Sequence, residues 1–425
     1  MEEYRTYTLE ELSIGKGNYG IAASAVPFDS SLHTYLRITD INDDGSLNKP
    51  GLMSVDEDDA EKYLLKPNDI VFARTGNSTR RSYFYDGSDG ELVYAGFLIK
   101  FSLDSTKVNP RILKYYTHSK PYYDWVQSFG TGSTRGNINA KTYGNMPIKL
   151  PPRDIQDNIV AILKSLDDKI ENNRRINENL EQQAQALFKS WFVDFEPFKD
   201  QPFVESELGM IPQGWRVGRY EVIIDSTISG DWGKEKAEGN YTHKVACIRG
   251  CDFQDIKNGL RGKTPERYIL EKNYQTKHFK DKDILVEISG GTATVSTGRV
   301  CPVSQLLIDK YNKDIVCTNF CRLVRPIALY GAYLYYSWLY KYNNKVMFGY
   351  ENGTSGIKNF RIKDFISLEP VIIPSEEILI RFQTYIDQLQ IKLQMNGSEI
   401  QKLAELRDTL LPRLMSGELK VNDVI

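Results

Sequence analysis

The pattern of hydrophobic and polar residues divides the chain into two kinds of sequence, and each kind occurs twice. Short β-rich runs such as "DIVFARTG" and "YAGFLIKF" alternate with Gly, Asn and Ser turns up to Pro151 and Pro152, and a similar mixture returns before Pro374. After each proline boundary the apolar residues recur every three or four positions, the period of an α-helix. This arrangement predicts an α+β protein with two globular domains of mixed sheet and short helices, each followed by a long helix.

The first long helix is predicted over residues 153–192, "RDIQDNIVAILKSLDDKIENNRRINENLEQQAQALFKSWF", which contain neither Gly nor Pro. The second begins at "EEILIRFQTY" and contains Gly397 and Pro412. Glycine weakens a helix and proline interrupts its hydrogen bonds. We therefore expect a softer middle and a kinked or broken last turn in the second helix.

The apolar seams of the two helices match position by position at an offset of 223 residues. Steps of three and four are typical of coiled coils, and one stutter falls around Leu166. We expect the helices to pair antiparallel and to form a spacer between two domains related by a pseudo-twofold axis; the alternative is that each helix covers only its own domain. The first seam consists of Ile155, Ile159, Ile162, Leu166, Ile170, Asn173, Asn177, Leu180, Ala184, Leu187 and Trp191.

Two seam positions are polar at the expected centre of the spacer. Asn173 lies at the middle of the first helix, and Asn396 is its counterpart 223 residues later. In an antiparallel pair with a twofold axis, only residues at the midpoint face their own counterparts. We expect Asn173 and Asn396 to face each other and to fix the register of the spacer; the alternative is that both amides point to solvent.

The globular parts also repeat. "GNYG" at residues 17–20 matches "GDWG" at 230–233, "RITDI" at 37–41 matches "RGCDF" at 249–253, and "KPNDIVFARTG" at 66–76 matches "KDKDILVEISG" at 280–290. "AGFLIKF" at 95–101 matches "TNFCRLV" at 318–324, and "MPIKLPP" at 146–152 matches "EPVIIPS" at 369–375. The order is kept and the offset grows from about 213 to 223, as loop insertions would produce. The chain is therefore interpreted as a tandem duplication, with domains at 1–151 and 200–374 and helices at 152–199 and 375–425.

Composition narrows the class of protein. A net charge of −2 argues against a uniformly basic surface but allows local basic loops. There is no signal peptide or apolar run that could span a membrane, so we expect a cytoplasmic protein. Its five cysteines lie between Cys247 and Cys321, and their odd number indicates reduced thiols. Cys247, Cys251, Cys317 and Cys321 have the spacing of a zinc site, but their counterparts in the first half are not ligands, so we expect small hydrophobic residues and no metal.

Several segments resemble one family. The motifs "LPPRDIQDNIVAILKSLDDKIE", "LEQQAQALFKSWFVDFEPF", "SELGMIPQGW" and "LRDTLLPRLMSGEL" resemble the DNA-specificity subunit of type I restriction-modification systems, and the resemblance covers essentially the whole chain. It implies that each globular domain is a target-recognition domain for one half of a bipartite double-stranded DNA target in a phage-defence system. It also implies that the helices dock two modification (methyltransferase) subunits, which bind S-adenosylmethionine, and that separate restriction subunits use ATP and Mg. No cofactor is expected on this chain.

The residues themselves offer candidate DNA contacts in polar, glycine-containing loops. Arginine can bind guanine or phosphate, and Ser, Thr and Asn can bind phosphates or base edges, although each single residue could equally belong to a solvated turn. The candidates in the first half are Arg37, Arg74, Asn77, Ser78, Thr79, Arg80, Arg81, Thr131, Ser133, Thr134, Arg135 and Asn137. Those in the second half are Arg249, Ser289, Thr292, Thr294, Thr354, Ser355, Lys358 and Asn359. Tyr19 and Trp232 are interpreted as lids over their own cores rather than as base-stacking residues.

Motifs for catalysis are not evident. The sequence contains no phosphate-binding loop with Lys-Ser/Thr and no Asn/Asp-Pro-Pro-aromatic tetrad of a methyltransferase. Asp283 and Glu287 have the spacing of half a nuclease metal site, but the counterpart of Glu287 is Ala73, so Asp283 is expected to serve the turn before a strand. The sequence thus favours a non-catalytic specificity subunit. The alternatives are a coiled-coil protein-binding scaffold and a specificity module of a fused restriction-methylation enzyme.

Overall fold

The computed structural model describes residues 4–129, 137–292, 294–353 and 357–421. The chain forms two compact units. Unit 1 comprises Met1–Asp168 and Leu403–Ile425, and unit 2 comprises Lys169–Lys402. Both boundaries fall inside long helices, so each unit contains one end of each of these helices.

Unit 1 contains small sheets and short helices packed around one main hydrophobic cluster. Its strands are β1 (Arg5–Thr8), β2 (Asn18–Tyr19), β3 (His33–Leu36), β4 (Met53–Val55), β5 (Asp69–Ala73), β6 (Ser82–Tyr85), β7 (Leu92–Tyr94), β8 (Leu98–Ser102) and β9 (Pro147–Leu150), and its helices are α1 (Pro110–Tyr116), α2 (Lys120–Gln127), α3 (Ala140–Gly144) and the start of α4 (Arg153–Phe192). The sheets have the strand orders β2-β8-β5-β6, β4-β3-β7 and β1-β9. The main cluster buries Phe72 and Phe101 beneath the four-stranded sheet together with Leu163 and Leu414 from the long helices.

Unit 2 is larger but uses the same kinds of element. Its strands are β10 (Phe203–Ser206), β11 (Gly209–Pro212), β12 (Arg216–Arg219), β13 (Ile224–Ser229), β14 (Tyr241–Ile248), β15 (Glu266–Leu270), β16 (Ile284–Glu287), β17 (Ser289–Gly290), β18 (Val300–Pro302), β19 (Asp314–Cys317), β20 (Cys321–Pro326), β21 (Glu351–Asn352), β22 (Lys358–Phe360) and β23 (Pro370–Ile373). Its helices are α5 (Phe253–Lys257), α6 (Glu271–Lys277), α7 (Gln305–Lys310), α8 (Gly331–Asn343), α9 (Ile362–Leu368) and most of α10 (Glu376–Ser416). The sheets are β13-β20-β16-β18, β15-β14-β19, β17-β22-β21, β12-β23 and β10-β11.

The structure confirms the two long helices that the hydrophobic period predicts. Helix α4 covers the predicted residues 153–192, and most of the seam is buried or half-buried. Helix α10 runs without interruption past Gly397 and Pro412, so the expected break in its last turn is wrong. Leu411 and Leu414, on either side of Pro412, are buried in the unit 1 core, and this tertiary packing compensates for the hydrogen bond that proline removes.

The predicted pairing of Asn173 with Asn396 is wrong by about one helical turn. The Asn396 amide donates to Oδ1 of Asn177 at 2.9 Å, whereas Asn173 donates to Glu399 at 2.8 Å. All three asparagines are buried. Apolar seam residues alone are compatible with several registers of the two helices. The register in the structure also lets the Asn177 amide donate to the carbonyl of Asn258 at 3.1 Å, in the turn after α5. That contact comes from the globular part of unit 2, so the spacing of seam residues could not predict it.

The two units share a strand register in their four-stranded sheets. Ile70 of β5 pairs with Phe101, and Ile284 of β16 pairs with Val324, as the sequence matches predict. In the neighbouring strand the structure departs from the sequence match. Tyr19 pairs with Ile99, and Ser229 takes the corresponding place in unit 2.

Two glycines confirm that the first sequence match is displaced. A Cβ on Gly20 would lie 2.1 Å from the carbonyl oxygen of Tyr94, and one on Gly230 would lie 1.9 Å from that of Thr318. No side chain fits such a close approach, so both positions require glycine. Gly20 therefore corresponds to Gly230, and the match of "GNYG" with "GDWG" is shifted by three residues.

Candidate nucleic-acid interface

The first candidate segment in unit 1 is the hairpin loop of residues 74–81, between β5 and β6. Gly76 has φ +70°, a left-handed conformation that favours glycine. Its carbonyl oxygen accepts hydrogen bonds from the amide of Thr79 at 3.2 Å and from the Thr79 hydroxyl at 2.6 Å. The resulting tight turn leaves Asn77 and Arg80 exposed. These two side chains can therefore reach a ligand outside the domain.

Two arginines of this loop share a single carboxylate. Arg81 Nε lies 3.0 Å from Asp43 Oδ1, and Arg80 Nη2 lies 3.5 Å from the same atom. One negative charge cannot neutralise two guanidinium groups, so the loop keeps a net positive charge. The pair remains a candidate for phosphate binding.

Arg74, at the start of the loop, has aromatic neighbours instead of an acid. Its guanidinium carbon lies 5.0 Å from the ring centroid of Tyr19 and 6.0 Å from that of Phe97, within cation–π range. Among the described residues its Nε has no hydrogen-bond partner, although that atom is buried. Of the basic candidates that the structure describes, Arg74 is also the one without an ion pair to a carboxylate. This arrangement leaves an arginine available to an incoming anionic or polar group.

The second candidate segment in unit 1, which ends at Asn137 and Ile138, lies directly beside the first. The amide of Ile138 donates to the carbonyl of Arg74 at 3.0 Å, and Asn137 forms an antiparallel bridge with Thr75. The candidates Thr131, Ser133, Thr134 and Arg135 lie outside the described residues. The end of this segment is thus fixed against the hairpin loop.

Unit 2 joins two segments in the same manner. Its hairpin loop, residues 288–299, begins with β17, and the Phe360 amide donates to the carbonyl of Ile288 at 2.9 Å. Ser289 pairs with Asn359, and their side chains share a 2.5 Å hydrogen bond. The Thr292 hydroxyl accepts the amide of Thr294 at 3.2 Å. The candidates Thr354 and Ser355 lie outside the described residues.

Lys358, the basic candidate in this region, is held by an acid. Its Nζ donates to Glu351 at 2.9 Å, and the same carboxylate accepts the Thr297 amide and hydroxyl. Burial acts to raise the pKa of Glu351, but these hydrogen bonds outweigh it and lower the pKa. Lys358 therefore helps to hold the long hairpin loop in place.

Arg37 and Arg249 occupy the same structural position in their units. Each guanidinium makes a two-point contact with the carboxylate three residues later, at 2.8 and 2.7 Å for Asp40 and at 3.1 Å twice for Asp252. Each also donates to a backbone carbonyl, that of Gly51 or that of Lys263. Both arginines are therefore engaged in holding a turn, and their contact with DNA stays a prediction.

Tyr19 and Trp232 are half-exposed and lie beside guanidinium groups, as Arg267 stacks over Trp232 at 4.0 Å. The Tyr19 hydroxyl accepts the Ala140 amide at 3.1 Å. Neither aromatic residue belongs to a hydrophobic core cluster. Their interpretation as lids over the core is therefore wrong. The sequence could not show the arginine that lies over each ring.

The remaining polar candidates serve the fold. Asp283 accepts the Lys280 amide at 2.7 Å in the turn before β16, which confirms its expected place, and Arg325 pairs with it at 2.8 Å. Cys247, Cys317 and Cys321 are buried in apolar clusters, and burial raises the pKa of the Cys247 thiol to about 12. No group of acidic, His and Cys side chains in the described ranges could hold a metal ion, and none of the described helices has the length and apolarity to cross a membrane.

Comparisons with known proteins show which proteins this chain is similar to. Residues 3–182 match the model of the type I restriction modification DNA specificity domain. The type I restriction enzyme MjaIX specificity subunit of Methanocaldococcus jannaschii is 28% identical over 319 residues, 73% of this chain and 69% of that protein. The HindI specificity subunit of Haemophilus influenzae is 24% identical, over 84% of this chain and 88% of that protein.

A solved structure agrees in fold. The crystal structure of a type I restriction-modification S subunit from M. genitalium aligns with a TM-score of 0.50 and 15% identity, covering 97% of this chain and 96% of that one. Residues 3–182 thus match a type I restriction modification DNA specificity domain, and most of the chain is similar to specificity subunits of type I restriction enzymes, as the resemblance in the sequence predicts.

Proposed function

We propose that each unit reads one half of a bipartite target in double-stranded DNA with its pair of joined loops. One observation carries this proposal. In both units the hairpin loop and the segment before α3 or α9 are joined by the same backbone hydrogen bond, at Arg74 in one and Ile288 in the other, while their side chains differ. A common frame with different side chains is what two recognition sites of different specificity require.

The chemistry of the two loop pairs supports different half-sites. Unit 1 presents Arg74, Asn77 and Arg80, and a free guanidinium can donate two hydrogen bonds to guanine or grip a phosphate. Unit 2 presents Ser289, Thr292 and Asn359, whose hydroxyl and amide groups are suited to base edges that both donate and accept. The second loop therefore depends less on charge than the first.

We further propose that α4 and α10 form an antiparallel spacer between the two recognition domains, with pseudo-twofold symmetry, and dock two modification subunits. Pairing within each unit supports this. In unit 1, Arg407 contacts Asp167 at 2.9 Å, and in unit 2, Asn396 contacts Asn177 at 2.9 Å, so higher numbers on one helix meet lower numbers on the other. This chain supplies specificity without catalysis, the modification subunits bind S-adenosylmethionine, and restriction subunits use ATP and Mg.

Exchange of one recognition domain tests the proposal. Residues 1–150 are replaced by those of a relative with another target, and the chain is assembled with its modification subunits. Mapping of methylated sites is expected to show one new half-site and one unchanged half-site. A change in both half-sites, or in neither, would contradict independent recognition by the two units.

A further inference from the structure

Phe97 and Phe320 are exposed phenylalanines that lie at the same place in both units. The side chains are 57% and 62% exposed, whereas most aromatic residues of the two domains belong to the cores. Each lies in the turn that leads into the second strand of the four-stranded sheet, Phe97 before β8 and Phe320 before β20. An exposed apolar side chain needs no explanation when it occurs singly, but here the exposure is repeated.

The backbone holds both phenylalanines in equivalent turns. The Leu98 amide donates to the carbonyl of Ala95 at 2.8 Å, and the Cys321 amide donates to that of Thr318 at 3.0 Å. These hydrogen bonds close a four-residue turn with the phenylalanine at its third position. The ring is thereby presented from a rigid turn rather than from a flexible loop.

The same turns are bonded to the candidate recognition loops. The Phe97 carbonyl accepts the Arg74 amide at 3.1 Å, and the Phe320 carbonyl accepts the Ile288 amide at 2.9 Å. Arg74 and Ile288 are also the residues at which the two candidate segments of each unit meet. The turn that carries each phenylalanine is therefore a third segment that meets the two candidate segments of its unit at this residue.

The side chains around the two junctions differ, but phenylalanine is present in both. Unit 1 has Arg74 beside the ring, within 6.0 Å of its centroid, and unit 2 has Ile288 at that position. A residue that reads one particular base should change between sites of different specificity. A ring that is kept in both is suited to a contact that does not depend on base identity, the apolar face of a deoxyribose sugar along the duplex backbone.

We propose that Phe97 and Phe320 contact the DNA duplex directly, each placing its ring against the sugars of its half-site independently of base identity. This rests on the proposed function, because it takes the loop pairs as the recognition sites. Arg74 attracts the phosphate backbone beside Phe97, and the rigid turn limits the entropy that the ring loses on binding. The two rings thus add affinity, and the polar loops add specificity.

Binding of target DNA by the chain assembled with its modification subunits tests this inference. Phe97→Ala and Phe320→Ala are each expected to weaken binding roughly 10-fold, the order expected when one apolar side-chain contact is lost. Phe97→Tyr keeps the ring and should retain affinity. Methylation mapping should show unchanged half-sites for all variants, because the contact does not depend on base identity.

Matched controls come from the opposite ends of the same strands. Ile14, bonded to Ser102 at the end of β8, is 68% exposed, and Ile327, after β20, is 43% exposed. Ile14→Ala and Ile327→Ala should bind like the original chain. Equal binding by the phenylalanine variants and these controls would overturn the inference, as would a changed half-site, which would make the ring a reader of one base. Failure of the unaltered assembly to bind its target would instead overturn the proposed function.

Discussion

At the residue scale, the side chain of Asn177 joins three segments of unit 2. Its Nδ2 donates to the carbonyls of Asn258 at 3.1 Å and Leu393 at 3.2 Å, and its Oδ1 accepts Asn396 at 2.9 Å. Both N–H donors and the carbonyl oxygen of this side chain therefore have hydrogen-bond partners in the interior. A polar residue in the seam is tolerated because its partners are all in place.

Substitution at this site should destabilise the chain in a defined order. Asn396→Leu leaves one buried acceptor unpaired and should cost about 1–2 kcal/mol. Asn177→Leu leaves the Asn258 carbonyl and the Asn396 amide unpaired and should cost more, although the Leu393 carbonyl keeps its hydrogen bond within α10. Thermal and urea unfolding of the purified variants measures the difference. Equal stability of Asn177→Leu and the original chain would show that the polar cluster is unimportant.

Gly397 provides a second prediction at this scale. Alanine normally stabilises the interior of a helix relative to glycine by about 1 kcal/mol. At this position, however, a Cβ would lie 2.3 Å from the carbonyl oxygen of Gly259. Gly397→Ala should therefore lower the unfolding temperature instead of raising it. Gly349→Ala, where nothing lies within 4 Å of the added Cβ, is the matched control.

At the scale of elements, the side chain of Lys310 links α7 to α10 in unit 2. Lys310 Nζ donates to the carbonyl of Gly259 at 2.5 Å and to the backbone and side-chain oxygens of Gln394 at 3.0 and 2.6 Å. None of these acceptors carries a charge. Burial, with a smaller effect of Arg261, lowers the pKa of Lys310 to about 8.

This lowered pKa predicts a pH dependence of stability. Between about pH 8 and pH 10 the unfolded chain keeps the Lys310 proton that the folded chain releases, because an unfolded lysine has a pKa of about 10.4. The state that binds more protons is disfavoured as pH rises, so folding should gain stability over this range. Comparison of unfolding midpoints at pH 8 and pH 10 should show this gain in the original chain and its loss in Lys310→Met. Exposed Lys363→Met should retain it.

At the scale of the whole molecule, the net charge bears on how strongly this chain binds DNA without partner subunits. A net charge of −2 provides little general attraction for a polyanion. Five of the described basic candidates already contact carboxylates, namely Arg37, Arg80, Arg81, Arg249 and Lys358. We therefore predict that specific binding depends on a few loop contacts and on partner subunits.

We expect the purified chain to bind its target weakly and the assembly with two modification subunits to bind it strongly. Fluorescence anisotropy at several salt concentrations measures both, and the salt dependence should be steeper for the assembly because it neutralises more phosphates. The chain alone should transfer no methyl group from S-adenosylmethionine to DNA. Methylation by the chain alone would show that it carries its own catalytic site.

The local features of this protein were predictable because they depend on periodicity and on strong local signals. The bounds of α4 follow from an apolar stripe that no Gly or Pro interrupts, and the strand register around β5 and β16 follows from two similar sequences. The turn at Asp283 follows from the position of an acid before a strand. The family resemblance follows from motifs in and around the two helices.

The sequence alone was therefore enough to predict the two long helices, the order of globular and helical segments and the resemblance to one family. The tertiary structure alone decided which residues meet, because those contacts join segments that are far apart in the chain. Contact with the Asn258 turn selected Asn177 as the partner of Asn396, and carbonyl contacts selected Gly230 as the counterpart of Gly20. Ion pairs occupied Arg37 and Arg249 but left Arg74 between two aromatic rings. Periodicity specifies a face of a helix or strand, whereas register and charge pairing depend on the neighbour that packs against it.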